Sequence, residues 1–429
     1  MLSQSRSRTW LRLLAVVGVL SLFLVACGGG DEPEETETTA SPADDATSPD
    51  EGTETEGTEG EQASGEPIRV AVLTSTSGPL ASYGEQYVDG FELGLEYATD
   101  GTMAVNGRPI EVTYQDDTGD PAQATSVATD LIGQGYTIIA GTVVSGVALQ
   151  LAPLAEQNDI LYVSGPAAAD AITGINRNTF RSGRQSYQDV ATAGQFLDDV
   201  EGKTVAVFAQ DTAFGQANVG AVEAVLGAEG ATVESILVPA DTSDFTPFAA
   251  RANESGADLL FVAWAGETAS AMWQSLGQQG VLENMTVVTG LDQRASWETA
   301  FGEVAGDIDF LAHYFAEAPD TEVNQWIVDN HEGTPDLFTP DGFVAAQMIV
   351  QALTEGDPDD TMSMIEALEG WTFDAPKGSQ TIRAEDHAML QPMFQASLSG
   401  EGGEITAEPV NTVDAEAVAP PAGSFEDES

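Results

Sequence analysis

Short apolar runs alternate with longer amphipathic stretches along most of this chain, and the alternation sets the first expectations about its fold. The runs IRVAVLT (68–74), IEVTYQ (110–115), YTIIAG (136–141) and ILYVSG (160–165) predict strands, as do KTVAVFAQ (203–210), ATVESILV (231–238), ADLLFVAW (257–264) and MTVVTG (285–290). Helical spacing fills the intervals at 85–98, 121–135, 146–158 and 267–280. Apolar strands separated by helices predict parallel sheets covered by crossover helices. After about residue 315 the pattern changes to helices at 341–353 and 360–370 and a strand-like MLQPMFQASL at 389–398, which fits a late return of the chain to its first half. The terminal AVAPPAGSFEDES is expected to fray.

The βα pattern comes in two successive sets, one before about residue 185 and one after it. Each set opens alike: a strand ends in a loop with one aromatic, Tyr83 in SYGEQ and Phe214 in AFGQA, and a glycine leads into a helix. Two similar lobes facing each other are implied, and the body from 67 to 429, 363 residues, is more than one core usually supports. The expected fold class is α/β with two doubly wound parallel-sheet lobes. Residues 67–185 with 315–375 are expected to form the first lobe and 186–314 with 376–412 the second, leaving 413–429 as a flexible tail.

The N-terminal end adds a different kind of information. Arg6, Arg8 and Arg12 precede a run at 13–26 that is apolar but for Ser21, fourteen residues and too few to span a bilayer, so 1–27 reads as a secretory signal. Its last residues, Leu24, Val25, Ala26 and Cys27, resemble the bacterial lipobox, whose cysteine is acylated and becomes the new N-terminus. Cys27 is the only cysteine of the chain, which removes any disulfide or cysteine-metal reading. Residues 28–66 carry fourteen Asp or Glu, no Lys or Arg and almost nothing apolar, the composition of a solvated tether.

Of the chain's 13 basic and 70 acidic residues, ten and fifty-six lie in the body, a formal charge near −46. That field repels nucleic acid and anionic membrane surfaces, so neither is an expected partner. With only Lys203 and Lys377 as lysines, the acid excess fits either a protein facing high external salt or ordinary secretion.

Ligands in open α/β sheets sit at the carboxyl ends of the strands, where loops meet helix N-termini. Here those ends, 77–83, 142–146, 164–169, 211–214, 264–267 and 290–294, are rich in small and aromatic residues and poor in catalytic groups. No serine stands in a G-x-S-x-G elbow, and neither a phosphate loop nor a dinucleotide fingerprint follows a strand. His313, His331 and His387 fall outside any metal spacing, and no metal or cofactor is expected. The abundant acid pairs read as solvated faces, so the residues favour a binding protein over an enzyme.

Several separate stretches then resemble one family. IRVAVLTSTSGPLASYGEQYVDGFELGLEYAT, VTYQDDTGDPAQATSVATDLI and GTVVSGVALQLAPLAEQNDILYVSGPAAA, followed by AVFAQDTAFGQA and DLLFVAWAG, resemble the leucine/isoleucine/valine-type solute-binding proteins of bacterial ABC importers over about residues 67–400. The resemblance implies the type 1 periplasmic binding protein fold, with two lobes joined by three crossovers that close on a small ligand. It also implies no catalysis, ABC permease subunits as partners, and an extracytoplasmic protein held to the membrane through Cys27. Position by position, it places the ligand carboxylate at Ser145 and Gly146, where the alternative is a plain helix cap, and backbone contacts at Ala167 and Ala169. A threonine of the branched-chain binders is replaced at Ala169. Aromatic walls fall on Tyr83, Phe214, Phe338 and near Trp264, and the acidic partner of a ligand ammonium falls on Asp292, which alternatively caps its loop or joins an ion pair. Arg184, beside the first crossover, either faces the cleft or pairs with a carboxylate. The implied ligand is an amino acid or related small carboxylate, with aromatic acids, or a sensing role without transport, as alternatives.

Overall fold

The computed structural model describes residues 65–197, 199–400 and 405–425; the signal segment with Cys27 and the acidic tether as far as residue 64 lie outside them. The first half of the chain runs β1 (Ile68–Thr74), α1 (Ala81–Ala98), β2 (Ala104–Val105), β3 (Arg108–Asp116), α2 (Pro121–Gly133), β4 (Ile138–Ala140), α3 (Ser145–Gln157), β5 (Leu161–Ser164) and β6 (Thr179–Arg181). Then follow α4 (Ser186–Gly194), β7 (Thr204–Gln210), α5 (Ala213–Val222), β8 (Thr232–Val238), α6 (Thr246–Ser255), β9 (Leu259–Ala263), α7 (Ala269–Gln278), α8 (Val281–Asn284), β10 (Thr286–Gly290) and β11 (Ile308–Ala312). The last part holds α9 (Glu322–Asn330), α10 (Thr339–Glu355), α11 (Thr361–Leu368), β12 (Thr372–Ala375), β13 (Gly378–Ile382), β14 (Met389–Leu390), β15 (Met393–Ser399) and β16 (Thr406–Val413).

Two mainly parallel sheets organise these elements. The first has the order β2-β3-β1-β4-β5-β6 and the second β16-β15-β11-β10-β9-β7-β8. Within the first, β1 pairs in parallel with both β3 and β4; within the second, β7 does the same with β8 and β9. Each sheet therefore reverses its strand order beside its opening strand, and the loops leaving β1 and β4, or β7 and β9, diverge there. Val70, Ala71, Val72 and Leu73 are all fully buried, because helices cover both faces of the sheet.

Local signals fix the helix starts. Asp120 caps α2 by accepting from the amides of Ala122 and Gln123, at 2.7 and 3.2 Å, and Pro121 occupies the first helical turn. Thr212 does the same for α5 through the amide of Gly215, at 3.2 Å. By contrast, α3 begins after Val144 with no side-chain cap.

The chain returns to the first half after β11. There α10 lies along α1, approaching so closely that Gly90, Gly94 and Gly342 stand where a methyl group would overlap backbone of the facing helix or of its entry. The expected change of lobe at 375/376 falls later: Phe373, Ala375, Ile382 and Met389 all join the core of β1 and α10. The expected single strand at 389–398 splits into β14, paired with β13, and β15, paired with β11. Pro392 lies between them, where a residue without an amide proton interrupts the ladder.

The C-terminal segment is not the expected tail. Val418 is fully buried with Ala191, Met393 and Val413, at the foot of the second sheet. The chain then reaches the first half, where Arg383 donates to the carbonyls of Pro420 and Pro421 at 2.8 and 3.2 Å and the Gly423 amide donates to Asp386 Oδ2 at 2.9 Å. Phe425 packs edge-on against the His387 ring, 4.7 Å between centroids, and is 4% exposed. Two apolar anchors and an arginine fork convert these residues into a strap from one half to the other.

Candidate functional site

The loops that leave the two switch points face each other and enclose a cavity of about 400 Å³. A smaller cavity of about 70 Å³ shares the walls Tyr83, Arg184, Phe214, Ala265 and Phe338 with it. Ser145 and Gly146 line the larger space, Trp264 and Asp292 the smaller one. Eight of the ten residues singled out from the sequence thus surround one cleft.

Ala167 and Ala169 do not. Both are buried in the core between the first sheet and α2 and α3, while Pro166 and Ala168 line the cavity. The segment after β5 alternates its faces, so the two alanine side chains point away from the cavity. Ala169 still serves the site indirectly, since its amide donates to Ser145 Oγ at 3.2 Å.

That bond leaves the Ser145 hydroxyl proton free to donate. Ser145 is the first helical residue and not the cap, so the plain-cap reading is set aside. With α3 uncapped, the amides of Ser145 and Gly146 lack helical acceptors, and both residues line the cavity.

Tyr83 joins the halves. Its hydroxyl donates to Asp292 Oδ1 at 2.5 Å and accepts from the Gly266 amide at 3.3 Å. Asp292 also takes the Gln293 amide on Oδ1 at 2.7 Å and the Ser296 hydroxyl on Oδ2 at 2.9 Å. Burial pushes the Asp292 carboxyl above the usual aspartate range, against the pull of these three donors. Burial, and then the Asp292 charge, pushes the Tyr83 phenol well up, so the tyrosine remains the donor. Beside them Gln86 bridges Gln293 and the amide of Phe338, both at 3.1 Å.

Arg184 enters from the first crossover. Its Nε lies 3.3 Å from Asp189, its Nη1 donates to the Pro166 carbonyl at 2.8 Å, and its guanidinium sits 5.7 Å from the centre of the Phe338 ring. The sequence left open whether it pairs or faces the cleft, and it does both. His313, outside any metal spacing in the sequence, is buried here; its Nε2 bonds the Leu337 carbonyl at 2.9 Å, and its ring stacks on Phe338 while lining the smaller cavity. Burial, then the charges of Arg184 and Lys377, push its pKa well down, so it is neutral. His313 follows β11 directly, and recognising IDFLA as a strand would have marked it by the same rule as the others. Among the described residues no cluster of three His, Cys, Asp or Glu is placed to hold a metal, and no helix is long and apolar enough to cross a membrane.

Residues 67–404 match the sequence profile of the family described as periplasmic binding protein. Among curated proteins, Leu/Ile/Val-binding protein homolog 3 of Brucella melitensis is 24% identical over 338 residues, 76% of this chain and 90% of that one. Among solved structures, an ABC-type branched-chain amino acid transporter protein from Rhodopseudomonas palustris CGA009 is 32% identical, with a TM-score of 0.68 over 83% of this chain and 99% of that one. A solute-binding protein of R. palustris in complex with 4-hydroxybenzoate shares the fold, with a TM-score of 0.73 at 22% identity over 81% of this chain and 97% of that one.

Proposed function

Starting from the fact that this chain belongs to the periplasmic binding protein family, we propose that it is the extracytoplasmic substrate-binding component of an ABC importer, capturing an amino acid or related small carboxylate between its two halves. The observation that carries this reading is the cavity at the carboxyl ends of both parallel sheets, walled by aromatic rings and supplied with a few convergent polar groups. Its relatives named for Leu/Ile/Val binding and branched-chain amino acid transport support the same class of solute. Nothing in the cleft pairs a nucleophile with a base, which suits capture and release without turnover.

Delivery requires the receptor to stay near its permease. Acylation of Cys27 at the end of the apolar leader would hold it to the outer face of the membrane, with residues 28–66 as tether. Intact mass of the detergent-extracted protein should then correspond to a chain starting at Cys27 plus acyl groups; a mass without lipid would remove the anchor.

Binding is tested by thermal unfolding of the purified protein against amino acids, aromatic acids and dicarboxylates. A ligand at a hundredfold over its dissociation constant adds about 2.7 kcal/mol of stability, a clear rise in Tm. A cavity that responds to none of these classes would end the small-carboxylate reading.

A further inference from the structure

Among the described residues Arg184 is the only lysine or arginine that lines either cavity, in a body whose formal charge is near −46. It is 8% exposed. Nε and Nη1 are engaged by Asp189 and the Pro166 carbonyl, whereas Nη2 makes no hydrogen bond to any described residue. The guanidinium is thus fixed on one side and open on the other, the state of a fork preorganised for an acceptor. Neutral His313 and the Phe338 ring share its surroundings and bring no competing charge.

Asp292 is in the opposite condition. Both of its oxygens already accept, from Tyr83 across the cleft and from Gln293 and Ser296 in its own loop. A ligand ammonium reaching Oδ1 would have to displace the tyrosine hydroxyl that joins the halves.

Resting on the reading of this cleft as a solute receptor, we infer that Arg184 anchors the ligand's carboxylate and that Asp292 with Tyr83 is a closure latch, so that the solute is an apolar or aromatic monocarboxylate without an amine. Ser145 and the opening amides of α3 supply further donors in the same space, and Phe214, Phe338 and Trp264 take the apolar body. Arg184 then selects for acid, while Asp292 is already engaged and Glu267, the lining carboxylate without a partner among the described residues, is solvent-exposed, where an ion pair with an α-ammonium is worth little.

Calorimetry with benzoate, phenylacetate, benzamide, phenylalanine and leucine decides the matter. Since Arg184→Gln alone strands the buried Asp189 charge, the Arg184→Gln/Asp189→Asn double variant is used beside it, with Asp292→Asn as the third protein. The acids are expected to bind the unaltered protein at least about tenfold tighter than the amide, and to lose about a hundredfold in the double variant, as for charge-assisted hydrogen bonds taken from a desolvated site. Leucine or phenylalanine binding that disappears in Asp292→Asn and survives in the double variant overturns the inference while the receptor reading stands. No binding by any of the five probes, together with no thermal shift from the wider panel, overturns both.

Discussion

Gly342→Ala is expected to cost about 2–4 kcal/mol of stability, several times what an alanine normally contributes to a helix with the opposite sign. A Cβ at Gly342 would lie 2.0 Å from the Tyr87 carbonyl oxygen and 2.7 Å from the Phe91 nitrogen, both backbone atoms of α1 that no rotamer change can move. The clash repeats from the other side, where a Cβ on Gly90 would meet the Thr339 carbonyl oxygen at 1.9 Å and one on Gly94 that of Phe343 at 2.4 Å. The two helices must therefore separate, opening the core that contains Phe91, Leu95, Val344 and Met348. Gly220→Ala in α5 is the control, because nothing lies within 4 Å of its added carbon. It should be neutral or gain up to about 1 kcal/mol from helix propensity. Denaturant midpoints that fall together in both variants would show that close approach of α1 and α10 is not what the glycines provide.

Lys377→Met is expected to be as damaging for a different reason. Lys377 Nζ lies 3.5 Å from Asp341 Oδ1, and both side chains are completely inaccessible to solvent. Asp341 Oδ2 has no hydrogen-bond partner among the described residues. Removing the lysine strands a carboxylate in the interior, which costs about 3–5 kcal/mol, whereas removing both charges is far milder. The Lys377→Met/Asp341→Asn double variant should therefore recover most of the loss.

The same pair gives a pH signature. Burial already pushes the Asp341 carboxyl above the usual aspartate range, and Lys377 is the charge that most opposes that shift. Without the lysine the folded-state value rises further. A carboxyl whose folded value exceeds its unfolded one destabilises the fold once pH passes the unfolded value, and the deficit grows until pH reaches the folded value. Lys377→Met should be nearest to the unaltered protein in mild acid and fall behind it as pH rises. A deficit independent of pH across that interval would place the cost in lost packing.

Much of this architecture can be read from periodicity because parallel strands buried on both faces are nearly continuous apolar runs. IRVAVLT and TVAVFAQ are such runs, and each opens its sheet. Where burial is one-sided or the strand is short, as in TFR at β6 and TAEPVNTV at β16, no such run exists and the strands escape notice. The cleft was legible to the extent that strand ends announce it, which marked the segments holding Tyr83, Phe214, Trp264 and Asp292, while the family resemblance singled out the residues within them. The facing of Ala167 and Ala169 was illegible for another reason. After Pro166 the chain is neither helix nor strand, and three successive alanines offer no contrast between an inward and an outward face. The partnership of Tyr83 with Asp292 spans 209 positions and is invisible to any local pattern.

The strap formed by residues 414–425 bears on the mechanics of closure. Chain passes between the halves at 182–185, 313–321 and 391–392, and the strap adds a fourth passage anchored at Arg383, Asp386 and His387. A rigid body held at one point keeps three rotations, and at two points it keeps one, about the line through them. Further attachments off that line leave only what the connecting segments themselves can flex. The extra attachment restrains sliding and twisting of one half over the other, and the single coordinate it restrains least is a bend about the attachments. Tyr83 and Asp292 come from opposite halves, so travel along that single coordinate decides whether their hydroxyl and carboxylate meet.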